Sequence, residues 1–229
     1  MELPSYWLRR PNSPRHLPSE EAMDRLLDRI LASPGGGPID YQLDVPKWRF
    51  LQHAVDREGL VLHGSSDPAL TMLEPRQPSD PLEFSDRNAV FAAADGIWPL
   101  YFAVVDRARH RMRLLNAAIR VLSPAGPSDP YYLFSISAGA LAQRPWRTGT
   151  VYLLPGETFE PQPPIDAGGR RVQVLQSASP APVRPIAALS VDPTDFPFLH
   201  QIRGHDDEVL GARIAADPTG FPWLQHGDE

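Results

Sequence analysis

A chain of 229 residues with no cysteine, 27 prolines and 16 glycines has the size of one domain with short appendages. Its 42% hydrophobic content is enough to bury a core, and the missing cysteine excludes disulfide scaffolds, zinc ribbons, iron–sulfur clusters and thiol nucleophiles. Twenty-two basic against 28 acidic residues give a net charge of −6, which argues against strong non-specific nucleic-acid binding, since that needs a dense cationic face.

Lys47 is the single lysine, so 21 of the 22 basic residues are arginine, the better fork for phosphates and carboxylates. A GC-rich coding bias produces the same excess, so the excess alone decides nothing. No apolar run approaches the roughly 20 residues that span a bilayer, and no membrane partner is expected. Met1 to Pro18 is polar, proline-broken and without a signal-peptide apolar centre, which makes cytoplasmic residence the expectation.

Residues 1–18 read as an irregular arm. Ser19 reads as an N-cap with Glu20 and Glu21 in the first turn, where the helix dipole favours acids. Met23, Leu26, Leu27, Ile30 and Leu31 recur at helical spacing and predict one apolar face ending near Ser33, before Pro34-Gly35-Gly36-Gly37-Pro38 stops the helix. A second helix is predicted from Pro46 to about Asp56, with Trp48, Leu51 and Val55 as its buried stripe. Leu60 to His63 reads as a short strand running into the turn-forming cluster Gly64-Ser65-Ser66-Asp67-Pro68.

Residues 76–88 read as a long polar loop, Ala89 to Ala92 as a strand and Asp95 to Arg107 as a helix with Pro99 in its first turns. Strands are expected at Leu114–Leu122, Tyr131–Ser137, Val151–Leu154, Arg171–Gln176 and Ile186–Val191, separated by turn-forming clusters. Helices early and strands late predict an α+β fold. The division expected is an arm and helix over 1–40, a main domain over 41–199 and a tail over 200–229. Phe196, Phe198, Phe221 and Trp223 are expected to pin terminal segments onto the body.

The most informative stretch is Leu60 to Ser65. Alternation along a strand puts Leu60 and Leu62 on one face and Val61 and His63 on the other. With the leucines in the core, His63 faces whatever lies opposite, Gly64 permits close approach to the backbone and Ser65 adds a hydroxyl. A strand-end histidine bonded to a loop, with glycine turning the chain, accounts for the same three residues.

His-Gly-Ser closing an apolar strand resembles the first motif of the ADP-ribosyltransferase superfamily, in the poly(ADP-ribose) polymerase and diphtheria-toxin branch. That branch continues with a short aromatic-bearing strand and a helix carrying a second aromatic after ten intervening residues. Phe91 and Phe102 stand in that relation here, with Tyr101 as the alternative beside Phe102. The family has tyrosines at these places; phenylalanine keeps the flat stacking surface. The family closes with a glutamate-bearing strand, a short turn, Val-Arg and a final strand. Val172 to Gln176, Pro180 to Pro182, Val183-Arg184 and Ile186–Val191 have that shape, but no glutamate lies on the strand. Gln176 is the first choice for its place and Gln173 the second.

The resemblance, over roughly residues 60–191, implies an ADP-ribosyltransferase-like split antiparallel sheet with NAD, as substrate, in a cleft between the halves. It implies that His63 contacts the adenosine ribose, the Gly64 backbone grips the nicotinamide amide and Ser65 assists at the nicotinamide ribose. Phe91, with Tyr101 or Phe102, would stack on the nicotinamide ring. Gln176 would hydrogen-bond the ribose without the negative charge that steadies the oxocarbenium-like transition state, leaving a transferase of ADP-ribose or a weakly active relative. The acceptor could be protein, nucleic acid or a small molecule. RNA 2′-phosphotransferases share the fold, lack the glutamate and use histidine and arginines; Arg76 is the candidate phosphate-binding arginine. The contrasting reading is a non-catalytic interaction module docking through Trp98, Trp146 and the C-terminal aromatics.

Other signals are weaker. Gly204 to Glu208 reads as an exposed acidic turn, with His200 the one companion for a metal site at His205-Asp206, and no metal is expected. Glu157 and Glu160 read as solvated. Gly35-Gly36-Gly37 precedes no Lys-Ser or Lys-Thr, and Gly-x-Ser-x-Gly is missing.

Overall fold

A computed structural model describes residues 3–12, 17–77 and 84–224. In chain order it contains β1 (Leu8–Arg9), α1 (Leu17–Ala32), α2 (Lys47–Glu58), β2 (Val61–Ser65), β3 (Val90–Ala93), α3 (Trp98–Val104) and β4 (Leu114–Ser123). Then follow β5 (Gly126–Pro127), β6 (Tyr131–Ser137), α4 (Ala138–Leu141), β7 (Gly149–Leu154), β8 (Glu160–Pro161) and β9 (Ile165–Ala167). The chain continues through β10 (Arg170–Val174), β11 (Gln176–Ser179), β12 (Ala187–Val191), β13 (Arg203–His205) and α5 (Asp207–Ala216).

The class is α+β, as the element order predicts. Among the described residues the strands form two sheets. One runs β1-β6-β4-β10-β9, with β5 added on β4 and β13 lying parallel to β6; its other pairings are antiparallel. The second runs β12-β7-β2-β3-β11-β8 and is antiparallel throughout. No helix among the described residues is long and apolar enough to cross a membrane.

Local chemistry sets the helix ends. α1 already includes Leu17 and Pro18, so Ser19 lies inside the helix rather than capping it. Met23, Leu26 and Leu27 bury its inner face. In α2, Trp48 and Leu51 are buried as the periodicity predicts, and Gly59 ends the helix in the left-handed region at φ 63°, its N–H bonded to Val55 O at 3.0 Å. α3 is shorter than the expected Asp95–Arg107 at both ends. Asp95 remains outside, its Oδ1 accepting from the N–H groups of Ile97 and Trp98, each at 2.8 Å. At the other end Val105 adopts an extended conformation and bridges Trp146, which draws the chain out of the helix.

The expected strand Arg171–Gln176 is two strands in two sheets. β10 pairs β4 in the first sheet and β11 pairs β3 in the second. Leu175, between them, bonds to both sides: its N–H donates to Ala118 O at 2.9 Å and its carbonyl accepts from Ala94 N at 3.0 Å. The chain therefore changes sheet immediately before Gln176.

Two expectations at the ends of the chain are corrected. The arm is not irregular throughout, since β1 pairs β6 and Arg10 reaches a buried cluster around Asp95. Gly204 to Glu208 is not an exposed turn. His205 is 7% exposed on β13, its Nδ1 lies 2.7 Å from Ser135 Oγ, and Asp206 caps α5 through the N–H groups of Glu208 and Val209. Pairing of β13 with β6 buries His205, while Asp206 and Glu208 stay exposed at the start of α5. The aromatics of the tail do pack inward: Phe196 lies 4.9 Å from Phe134 and Phe221 lies 6.4 Å from Trp7, ring centre to ring centre.

Candidate functional site

β2 and β3 are neighbours but share one paired position, Leu62 with Ala93. Beyond it the two strands part, while β2 keeps its ladder with β7 as far as Ser65 and Thr150. The His63 ring enters the gap, with Nδ1 2.7 Å from Phe91 O. A carbonyl can only accept, so Nδ1 carries the proton and Nε2 is the acceptor. No hydrogen bond among the described residues engages Nε2. Burial, helped by the nearby Arg76 charge, lowers the imidazole pKa below its usual 6.5, against the opposing effect of the Phe91 bond. The neutral, Nδ1-protonated form is the one present at neutral pH.

The parted strands open onto a cavity of about 800 Å³. His63, Gly64, Ser65, Arg76, Phe91, Phe102 and Gln176 all line it, although they come from well-separated parts of the chain. Tyr101 does not. It is fully buried in the aromatic core, 4.9 Å from Phe134 between ring centres, and its hydroxyl donates to Ser135 O. Adjacent helix positions point about 100° apart, which takes Tyr101 into the aromatic core while Phe102, four residues after Trp98, lines the cavity with it. Gln173, on β10, is also away from the cavity, its amide donating to Gln162 O and Val174 O.

Each lining group has a defined support. Gln176 begins β11 opposite Ala93, and its Nε2 donates to Ser85 Oγ at 3.2 Å, which leaves Oε1 as an acceptor. Arg76 pairs through its backbone with Ala89, just before β3, and Leu73 pairs with Val183, between β11 and β12, so the segment bearing Glu74 is held at both ends. The Tyr152 hydroxyl donates to Asp67 O at 2.7 Å and accepts from Leu70 N at 3.1 Å, fixing the loop after Ser65.

The turn expected at Gly64-Ser65 is instead the end of β2. The missing side chain at Gly64 is filled by α3: a Cβ there would overlap the Pro99 carbonyl oxygen. Gly64 therefore brings α3, with its Trp98 and Phe102, against the strand that carries His63.

Among the lining residues that the sequence does not single out for the site are Trp98, Glu74 and Arg107. Trp98 stands four residues before Phe102, a helical spacing that signals its place. Its indole N–H donates to Asn116 Oδ1 at 2.7 Å. Glu74 and Arg107 have no sequence signal, because loop positions follow no period. Comparison with known proteins found no family model, no curated protein and no solved structure that matches this chain.

What the arrangement can do follows from its groups. Neutral His63 offers an acceptor, Gln176 an amide, Phe91, Phe102 and Trp98 offer flat apolar surface, and Arg76 offers a cation. These suit a ligand that joins hydroxyl groups, a flat ring and a phosphate.

Proposed function

We propose that this cavity binds NAD and that the protein is an ADP-ribosyltransferase-like NAD-binding protein. The observation that carries the reading is convergence: His63, Phe91, Phe102 and Gln176, from four separate elements, line one cavity. Its volume, about 800 Å³, falls in the range of roughly 300–1,000 Å³ found for small-molecule sites. The parting of β2 from β3, and the passage of the chain from one sheet to the other at Leu175, fit the split sheet and cleft that the resemblance implies.

On this reading the His63 Nε2 accepts from an adenosine ribose hydroxyl, and Phe91 and Phe102 flank the nicotinamide ring. Arg76 neutralises part of the pyrophosphate charge. Gln176 Oε1 accepts from the nicotinamide ribose. Because Gln176 is neutral, it adds hydrogen bonding but little stabilisation of positive charge at the ribose, so binding exceeds turnover.

Thermal unfolding with and without NAD tests the reading. Ligand that binds only the folded chain raises Tm, by an amount equivalent to about 2.7 kcal/mol at a hundredfold excess over Kd. Millimolar NAD should raise Tm in the native protein and leave that of His63→Ala unchanged. An unchanged Tm in both proteins would remove NAD as the ligand.

A further inference from the structure

One rim of the cavity belongs to a strongly cationic surface. Val105, Arg107 and Ala108, which follow α3, line the cavity, and the chain continues through Arg109, His110 and Arg111. The segment before β7 lies alongside: Val105 bridges Trp146, Asp106 N donates to Pro145 O at 2.8 Å, and Arg147 N donates to Val104 O at 2.9 Å. These backbone links set the segment bearing Arg144, the half-buried Trp146 and Arg147 beside the one bearing Arg107, Arg109 and Arg111.

These arginines are unlike others in the chain. Arg49, Arg57, Arg87 and Arg171 each hold a carboxylate oxygen within 3.1 Å. Within the patch segments, 105–111 and 142–147, the one acid is Asp106, which is 3% exposed. It accepts from Arg109 N and approaches the guanidinium groups of Arg109 and Arg147 no closer than 3.8 Å. Arg107, Arg111 and Arg144 are exposed and have no ion pair among the described residues. Arg113 is turned away, its guanidinium 3.5 Å from Asp207 O, and is not counted.

On a protein of net charge −6, five arginines beside a cavity mouth are a localised anion-binding surface. We propose that this patch docks a single-stranded nucleic acid, with its phosphates on Arg107, Arg109, Arg111, Arg144 and Arg147 and one unpaired nucleotide at the cavity mouth. Several guanidinium groups spread over two adjoining segments match a row of phosphates better than one compact anion, and Trp146 offers a stacking surface of the kind single strands use. The net negative charge elsewhere confines the strand to this face. The inference rests on the NAD reading only for the use to which the docked strand is put.

Fluorescence anisotropy of labelled twelve-nucleotide single strands, DNA and RNA in separate arms and without NAD, tests it. Binding should weaken log-linearly with salt, with a slope of about 0.7 per phosphate neutralised. The triple variant R109S/R111S/R144S, none of whose positions lines the cavity, should lose affinity by roughly a hundredfold and flatten the slope by about 2. Either arm meeting these expectations supports the proposal and identifies the sugar. His63→Ala should bind the strand as the native protein does.

Absence of binding at low salt, or equal binding by the triple variant, overturns the proposal. So does equal affinity for polyglutamate, or binding to vesicles of anionic phospholipid but not to either strand. Loss of strand binding with the NAD-induced Tm rise intact in the triple variant belongs to the patch alone. A missing NAD effect with strand binding intact instead removes the cavity reading and leaves the docking surface.

Discussion

Asp95 and His63 are both polar residues held close to β3, and their surroundings differ in one respect. Asp95 is 0% exposed and each carboxylate oxygen is fully used. Oδ1 accepts from Ile97 N and Trp98 N, and Oδ2 accepts from the Tyr132 hydroxyl at 2.7 Å and from Arg10 at 2.6 Å. Gln52 extends the cluster by accepting from Arg10 and from Gly96 N. Burial, and then the Asp95 charge, push the Tyr132 hydroxyl pKa up, so it remains a donor. His63 has one satisfied nitrogen and one that faces the cavity. A cluster whose capacity is spent internally holds the fold, and a group with capacity left over is available to a ligand.

The contrast can be broken or sharpened by replacement. Asp95→Ala should have the largest effect on stability, because it strands Arg10 and uncaps the start of α3. Removing one partner of a buried ion pair costs about 3–5 kcal/mol, and urea unfolding would read it. A loss below about 1 kcal/mol would show that the cluster is not a structural hub. Next comes Gln176→Glu, which on the proposed reading would put a negative charge beside the nicotinamide ribose. Nicotinamide release from NAD should rise by at least about tenfold, equivalent to 1.4 kcal/mol of transition-state stabilisation. An unchanged rate would detach Gln176 from the chemistry.

His63→Ala should change stability by less than about 1.5 kcal/mol, the loss of a single hydrogen bond, while removing the response to NAD. A destabilisation as large as that of Asp95→Ala would put His63 among the structural groups and erase the contrast.

The smallest effect is pH dependence. His63 and His205 both have pKa values lowered from 6.5, chiefly by burial. The unfolded chain therefore takes up protons first as the pH falls. The stability these residues contribute is fully present above about pH 6.5 and is lost as the pH drops through their folded values. The urea midpoint should fall between pH 7.5 and 5.5, and NAD binding should weaken only below the ordinary imidazole range, once the lowered His63 pKa is reached and Nε2 takes up its proton. A midpoint that rises would contradict the burial of both rings.

The sequence made much of this legible where a period or a turn carried the information. The helical spacing from Met23 to Leu31, the long strands β4 and β6, and the α+β order could all be read from it. His63, Phe91, Phe102 and Gln176 could be chosen because a resemblance linked short motifs far apart in the chain. Features decided by tertiary pairing were not legible. β1 and β13 are too short to show alternation, and β10 runs into β11 with no break in composition to mark the change of sheet. The pattern around Gly64 reads as a turn and as backbone open to a ligand; only the position of Pro99 shows that its missing side chain admits a helix. The Asp95 cluster draws on Arg10, Gln52 and Tyr132, whose spacing in sequence holds no pattern.

The measurement that bears most directly on the cavity is nitrogen NMR of the histidine side chains during an NAD titration. At pH 7.5 the account predicts a neutral His63 ring protonated at Nδ1, with an Nε2 resonance that moves saturably towards a hydrogen-bonded value as NAD is added, while His205 is unmoved. A His63 Nε2 resonance that stays fixed through millimolar NAD would contradict it.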